Sequence, residues 1–476
     1  WLIKKVGAST SKMFQALSGT SKGYGSGGRN IIISGGNMKG DLDNGISITN
    51  SFHHVTELTI KNMNIEHAVY KGHFADLMAC ENVLIDNCTF KGFKLSSDRA
   101  YTECIQIDNS SYPGAGGADN VLSYDGLPTH DVTIHNCEFL PIYNENGTIR
   151  YHAPNITGSH GQIRGLPPYN ITIDNNVVKG GAPIFSDADA YRTGWIHFRG
   201  GYNISITRNK FYNLNSIVSK VINFYRTAWG YEVTDLDNDN SPSVQGIPNE
   251  CYNIKVESNY FEGFNFPYVT SICAFTGYVY NNEDYKIKDV SITGNTYKNC
   301  FDISQIGEKV SGDLNYLSYV SRLTMRQNGV EGARRLAYLN YVDNFSISDN
   351  PINKAYYVPF SIQNSTSGTI SNGTIDNSIS GVILGGNCRN INISNMQINN
   401  PLPTGNAYDS VLIDVTGNAT NCSVTNNTLD GDNKVDIGIR AKSTTGVGFI
   451  KDNIIQDITT KVSVESGSGM TAANNI

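Results

Sequence analysis

The sequence predicts an all-β chain wound as a right-handed parallel β-helix, a single-stranded solenoid of about 12–14 coils of three short strands each. Three observations carry this. A short unit recurs along most of the chain, it alternates apolar and polar residues, and Asn or Asp marks its corners. The unit reads [Asn/Asp]-apolar-x-apolar-x-x-Asn-x-apolar, at spacings of roughly 30 to 55 residues. Copies begin at Asn82, Asp131, Asn170, Asn203, Asn253, Asp289, Asn344, Asn390 and Asn421. Asn82-Val-Leu-Ile-Asp-Asn-Cys-Thr-Phe90 and Asp131-Val-Thr-Ile-His-Asn-Cys-Glu-Phe139 show it most clearly.

Each element follows from the unit. Alternation over a few residues is the period-two sign of a half-buried strand. A second short strand follows the Asn turn. A third, more variable strand precedes the unit, at 73–79, 103–108, 159–164, 194–199 and 219–225. Corners that repeat from coil to coil stack in a solenoid, whereas a propeller blade needs four strands at a strict period. Two-residue Asn-Gly connections, the mark of hairpins, are not the pattern. The long segments 110–130, 141–158, 227–250 and 307–342 read as inserted loops. Residues 1–29 are expected to form an N-terminal cap or incoming segment, and 30–476 the β-helix.

Composition narrows the function classes. At ordinary domain sizes, 476 residues would suggest about three domains, but the repeat turns length into a count of coils. With 17% charged and 39% hydrophobic residues, the chain is not a disordered one. No apolar run approaches the roughly 18 residues that span a bilayer. Its 36 basic and 43 acidic residues give −7, which argues against a general nucleic-acid binder. About 56 Asn and 47 Gly supply turn residues that tolerate positive φ. Nine cysteines stand singly with no C-x-x-C, which argues against a zinc site or a thioredoxin-like motif, and small buried hydrophobes are expected. Asn-x-Ser/Thr at Asn155, Asn170, Asn203 and Asn392 is expected from Asn- and Thr-rich turns alone. The chain begins at Trp1 without a charged-then-apolar leader, and export is not read from that start.

Over nearly its whole length the chain resembles the right-handed parallel β-helix proteins of the pectate-lyase superfamily. That superfamily holds polysaccharide lyases, glycoside hydrolases, epimerases, phage tailspikes and non-catalytic adhesins. The resemblance implies a polysaccharide or other glycan partner, acidic in some members, and an extracellular or cell-surface setting. It also implies a site along the exposed face of one strand in several successive coils. Ser159-His160-Gly161 resembles the Gly-His-Gly element of polygalacturonases, implying that His160 tunes a carboxylate or binds substrate. The Asn-Thr-Asp, Asp-Asp and Arg-Ile-Lys elements of those enzymes are missing in clean form.

Register places the face. Aligning the third strands makes Leu77, Ile107, Ile163 and Phe198 equivalent inward residues. Their neighbours then point outward: Asp76 and Met78, Gln106 and Asp108, Gln162 and Arg164, His197 and Arg199, Asn223 and Tyr225. Coils about 4.8 Å apart would gather two carboxylates, a His and two Arg within roughly 20 Å. Later coils offer only Cys273, Ala274, Ser304 and Gln305.

Three chemistries suit such a face. In a hydrolase, Asp76 and Asp108 form the carboxyl pair, joined by His160 and His197 in the expected catalytic set. In a lyase, Arg164 and Arg199 would grip a uronate carboxylate bidentately. Calcium enters only under that lyase chemistry; no other cofactor or metal is expected. Asp235-Leu-Asp-Asn-Asp239 lacks the loop Gly and terminal Glu of an EF-hand and reads as a solvated acidic loop. In a binder, Trp195, Tyr202, Tyr225, Trp229 and Tyr231 stack sugar rings, and Arg164, Arg199 and Arg226 hold anionic groups. Gln106, Gln162 and Asn223 would bond hydroxyls, and Glu103 joins the binding set although it begins its strand and could face either way. Hydrolysis is favoured over β-elimination, because two acids on adjacent coils are easier to find than a calcium cage. The alternative is a non-catalytic glycan-binding adhesin or tailspike-like receptor binder.

Overall fold

Two left-handed backbone positions, five residues apart, build each coil. They fall at Asn82 and Asn87, Asp131 and Asn136, Asn170 and Asn175, Asn390 and Asn395, and Asn421 and Asn426, all with φ between 51° and 57°. Asn and Asp adopt this region more cheaply than other side chains, which is why they mark the repeat. The computed structural model describes residues 2–4, 13–95, 103–111, 121–159, 163, 165–183, 194–226, 229–230, 244–245, 249–265, 269–280, 283–307, 319–402, 410–444 and 446–476. The chain divides into two compact units, Trp1–Tyr260 and Phe261–Ile476. Each is a parallel β-helix.

In the first unit, the strand between the two corners stacks coil on coil in strict register. Val83, Val132, Ile171, Ile204 and Ile254 form one inward column. Phe90, Phe139, Val178 and Phe211 form another from the second strand. All are buried, so each coil covers the apolar face of its neighbour. The third strand supplies Phe52, Leu77 and Ile107. In the second unit, Ile292, Met325, Ile347, Ile370, Ile393, Val424 and Ile450 repeat the arrangement. In a neighbouring column Phe345 pairs with Gly368, where a Cβ would lie 2.0 Å from the ring.

Behind the second corner runs a buried amide ladder. Asn209 Oδ1 accepts from the backbone N–H and Nδ2 of Asn176, at 2.9 and 3.0 Å, and Asn209 Nδ2 donates to the Ile173 carbonyl at 2.8 Å. Asn259 receives Asn209 in the same way. The second unit has ladders at Asn295–Asn328–Asn350 and Asn427–Asn453–Asn475. These amides satisfy backbone groups that the turn would otherwise leave buried and unpaired. Cys137 donates its N–H to Asn176 Oδ1 at 2.9 Å, so Cys137, and Cys88 one coil before it, continue the ladder's column as small apolar fillers.

All nine cysteines are free and buried, as the sequence predicts. Burial pushes the Cys80, Cys251 and Cys273 thiols up to about 12. Because the thiolate is the nucleophile, native protein is expected to leave a thiol-exchange reagent essentially unreacted, with nine equivalents appearing in denaturant. Rapid titration of several thiols in the native state would contradict this packing.

The loop assignments need correction. The described part of 307–342 is a regular coil with strands Val320–Arg326, Gly329–Ala333 and Arg335–Asn340. Its corner residue is Arg322, with φ 57°, so the Asn/Asp signature is missing there. Arg322 Nε and Nη2 bond Asp289 on the preceding coil, both at 2.6 Å, which holds an uncommon residue in that conformation. Segment 141–158 is a hairpin, Ile142–Tyr143 against Ile149–Tyr151, followed by the regular strand Asn155–Ser159. Segment 227–250 contains the short antiparallel pair Trp229–Gly230 and Val244–Gln245. Within 1–29, Phe14–Ala16 pairs in parallel with Asn50–Phe52. Among the described residues no helix is long and apolar enough to cross a membrane.

Candidate functional site

The third strands of the first unit set a row of polar residues side by side. Pairing runs Ser51, Asp76, Gln106, Gly158, His197, Asn223 across six consecutive coils. A parallel row two residues further on contains His53, Met78 and Asp108. Inward neighbours Leu77, Ile107, Phe198 and Phe224 are buried, and alternation turns the row to the other side of the sheet.

One coil differs from the register read in the sequence. Its strand is Asn155–Ser159 rather than 159–164, held by Thr157 Oγ1 donating to the Ile105 carbonyl at 2.7 Å. Gly158 therefore occupies the place assigned to Gln162. The substitution of glycine for a polar side chain has a geometric consequence. A Cβ on Gly158 would lie 2.1 Å from His197 Cε1 and 2.5 Å from Nε2, so the imidazole leans across the Gly158 strand into the gap. His197 is thereby carried toward Gln106. Gly158→Ala is expected to displace the ring and to destabilise the first unit by about 1–3 kcal/mol, seen as a lower Tm. An unchanged Tm would mean that His197 swings away freely.

The row is buried, not open as expected. Asp76 is 5% exposed, His197 2% and Asn223 0%. Asp76 Oδ2 accepts a hydrogen bond from Ser51 Oγ at 3.2 Å, and Gln106 Nε2 donates to Asp108 Oδ2. Arg199 Nε donates to the Tyr225 hydroxyl at 2.5 Å, its guanidinium 5.9 Å from that ring centroid.

Around the Asp108 end lies a histidine network that sequence reasoning missed. His53 Nε2 and Ser110 Oγ are 2.7 Å apart, and His53 stacks on His54 with centroids 4.3 Å apart. His54 Nε2 sits 2.9 Å from both oxygens of Asp125, and Tyr124 packs against His53 at 5.6 Å. Burial opposes ionisation of Asp125, but hydrogen bonds from His54 and the Gly23 N–H outweigh it and hold the carboxyl below its ordinary value. Asn109 Nδ2 ties this segment to the Gly126 and Leu166 carbonyls at 2.9 and 2.8 Å. The available signal was Ser51-Phe-His53, a polar-apolar-polar alternation one coil before Ala75–Met78.

Other expected residues fall elsewhere. Trp195 is fully buried, packs against Phe211 and donates Nε1–H to the Ala182 carbonyl at 3.3 Å. Gly181, where a Cβ would lie 2.4 Å from the indole, makes room for it, so Trp195 belongs to the core and offers no face to a sugar. Glu103 shares the inward parity of Ile105 and Ile107 and lies beside His73, whose Nδ1 is 3.0 Å from the Glu103 carbonyl; it is not on the polar face. Arg226 is buried near Cys251, whose thiol it lowers against the larger upward effect of burial. Tyr202 is stacked between Tyr169 and Tyr252 at 5.0 and 4.9 Å, so both its faces are occupied. His160, Gln162, Arg164, Tyr231 and Asp235–Asp239 lie outside the described residues, as does the side chain of Trp229. Among the described residues no group of three or more His, Cys, Asp or Glu converges on a metal position.

No family model matches the chain, and no curated protein matches it in sequence. Among solved structures, it is similar to PfbA, a surface adhesin of Streptococcus pneumoniae, at 18% identity and TM-score 0.45, covering 84% of this chain and 72% of that one. It is also similar to the tailspike protein of E. coli bacteriophage HK620 in complex with pentasaccharide, at 10% identity and TM-score 0.45, covering 100% and 73%. DFA-IIIase from Arthrobacter chlorophenolicus A6 in complex with GF2 is a third, at 14% identity and TM-score 0.37, covering 76% and 86%.

Proposed function

We propose that this chain is an extracellular or surface carbohydrate-active β-helix that cleaves a polysaccharide by glycosidic hydrolysis, with Asp76 and Asp108 as the carboxyl pair. The observation that carries the reading is their register. They stand on adjacent coils, one coil and two residues apart, on the same side of the sheet. Strand geometry then separates their Cα atoms by about 8 Å. Side chains running parallel from that spacing suit the roughly 6.5–9.5 Å of an inverting pair, in which one carboxyl protonates the leaving oxygen and the other activates water. The Gln106 amide orients Asp108, and the His197 ring lies across Gly158 on the same side of the sheet. Two carboxyls need no cofactor for this reaction; calcium would enter only with β-elimination.

A second reading, glycan binding without turnover, is favoured by one observation: Asp76 and Asp108 already have hydrogen-bond donors within the protein. Reducing-end release from a polysaccharide panel by the unmodified protein and by Asp76→Asn and Asp108→Asn separates the two. An unsaturated product absorbing in the ultraviolet would replace hydrolysis by elimination.

A further inference from the structure

Ser18, His54 and Asp125 stand in line in the first unit, and the glycosidic chemistry proposed above uses none of them. Register brings the first two together. Phe14–Ala16 pairs in parallel with Asn50–Phe52, Ala16 opposite Phe52, so two residues further on Ser18 comes to lie beside His54. Ser18 Oγ is 3.1 Å from His54 Nδ1, and the other ring nitrogen, Nε2, is 2.9 Å from both oxygens of Asp125. A carboxylate accepts only, so Nε2 carries the proton and the Nδ1 lone pair is left to accept from the serine hydroxyl. Each member is held in place. The His54 N–H donates to the Met78 carbonyl at 2.9 Å, and its own carbonyl accepts from the Gly27 N–H at 3.1 Å. Asp125 accepts from the Gly23 and Leu127 N–H groups at 2.8 and 3.2 Å.

We propose that Ser18 is a nucleophile, His54 its base and Asp125 the residue that positions the base, in a site that hydrolyses the ester of a short carboxylic acid. This activity is separate from the cleavage proposed above and does not depend on it. Ser18 Oγ bonds to the ester carbonyl carbon while its proton passes to His54 Nδ1. The tetrahedral adduct then collapses, the bond to the alcohol oxygen breaks, and the alcohol leaves with that proton. Water attacks the acyl-serine and gives a proton to His54; the carboxylic acid departs as Oγ regains it. Burial opposes ionisation of Asp125, but bonds from His54 and Gly23 hold its carboxyl below the ordinary value, so it stays charged and stabilises the imidazolium. The ring nitrogens serve in the opposite order to the serine proteases, which the chemistry allows because either can be the base when the other faces a carboxylate. Ser18 is 8% exposed and precedes the exposed Gly19 and Thr20, in a turn closed by the Ser21 N–H donating to the Ser18 carbonyl at 3.0 Å. Gly19 has φ 66°, and a Cβ on it would meet no described atom within 4 Å, so there is room beside the serine. The Gly19 N–H, next in the chain to the nucleophile, is assigned to the oxyanion. Ser110 also meets a histidine, His53 at 2.7 Å, but it is fully buried and a substrate does not reach it. The near-complete cover over Ser18 limits the acyl group to a short one such as acetyl.

The test is covalent labelling of the whole, unmodified chain with a fluorophosphonate, which phosphonylates activated serines. Mass spectrometry should place about one adduct per chain on Ser18, and p-nitrophenyl acetate hydrolysis should fall in step with labelling. Ser18→Ala should abolish the label and lower that hydrolysis about 10³-fold or more, to the buffer rate. Asp125→Asn should lower kcat about 10²–10⁴-fold with KM unchanged, because the amide no longer fixes the Nε2–H tautomer. Acetate should be cleaved much faster than the p-nitrophenyl ester of a long fatty acid. A latch that merely ties residues 18–24 to the coil would shift Tm in these variants but leave Ser18 unlabelled in the unmodified protein. No adduct at Ser18 in folded protein, adducts scattered over several serines, or unchanged ester hydrolysis in Ser18→Ala would each overturn the site. A loss confined to KM in Asp125→Asn would overturn the positioning role, and equal rates on long and short esters would overturn the assignment to short acids.

Discussion

Asp76→Asn and Asp108→Asn, made singly, are each expected to lower glycan turnover by about 10²–10⁴-fold while leaving the fold intact, because each removes one proton-transfer partner. The amide is isosteric, so the Ser51 hydroxyl and the Gln106 amide keep an oxygen to donate to. The double variant should lose little beyond the worse single, since acid and base act in one step and their effects are not additive. Initial rates of reducing-end release, with Tm as the folding control, provide the measurement. Turnover within threefold of the unmodified protein in both singles would remove Asp76 and Asp108 from the chemistry. No turnover in the unmodified protein on any glycan of a broad panel, alongside measurable binding, would leave the face as a receptor-binding surface.

The largest stability effect is expected at Asn209→Leu. Leucine matches asparagine roughly in size but removes the acceptor of the Asn176 N–H and Nδ2, and the donor to the Ile173 carbonyl. With Asn259 Oδ1, which accepts from Asn209 Nδ2, four buried polar groups lose a bond, at about 1–3 kcal/mol each, so the total is about 4 kcal/mol or more. Urea unfolding should show a clearly lower midpoint for the first unit. Asn170→Gly is the contrast: this exposed ladder residue has φ 55°, which glycine adopts freely, so its change should be within about 1 kcal/mol. If Asn209→Leu were as mild as Asn170→Gly, the buried ladder would not be what secures the turn. The difference arises because solvent can replace the partners of an exposed amide but cannot reach Asn209, which is 1% exposed.

Where the repeat was legible, it was so through residues that a left-handed corner or a buried amide admits. Asn82, Asp131 and Asn170 announce their coils because few side chains adopt φ near +55° without strain. The coil at Arg322 was misread as a loop for the same reason in reverse. There an ion pair with Asp289 holds the corner, and a pair between coils leaves no local pattern. Gly158 shows the same limit in the candidate site. Alternation suggested a strand at 159–164, but the neighbouring strand chose Asn155–Ser159, since register is a property of the pair rather than of either sequence.

The face itself divides along this line. The sequence by itself determined the architecture, the inward columns and the alternation that gathers Asp76, Gln106, Asp108, His197 and Asn223 on one side of a sheet. These follow from period two and from corner residues whose backbone preference is intrinsic. Only the tertiary structure decided that this side is buried, that His197 crosses the gap at Gly158, and that Trp195 and Glu103 leave the face for the interior. It alone also joined Ser18 to His54 on the neighbouring coil. The physical reason is common to all of these: contacts between coils join residues some 25 to 50 positions apart, and their geometry depends on the partner that stacking supplies.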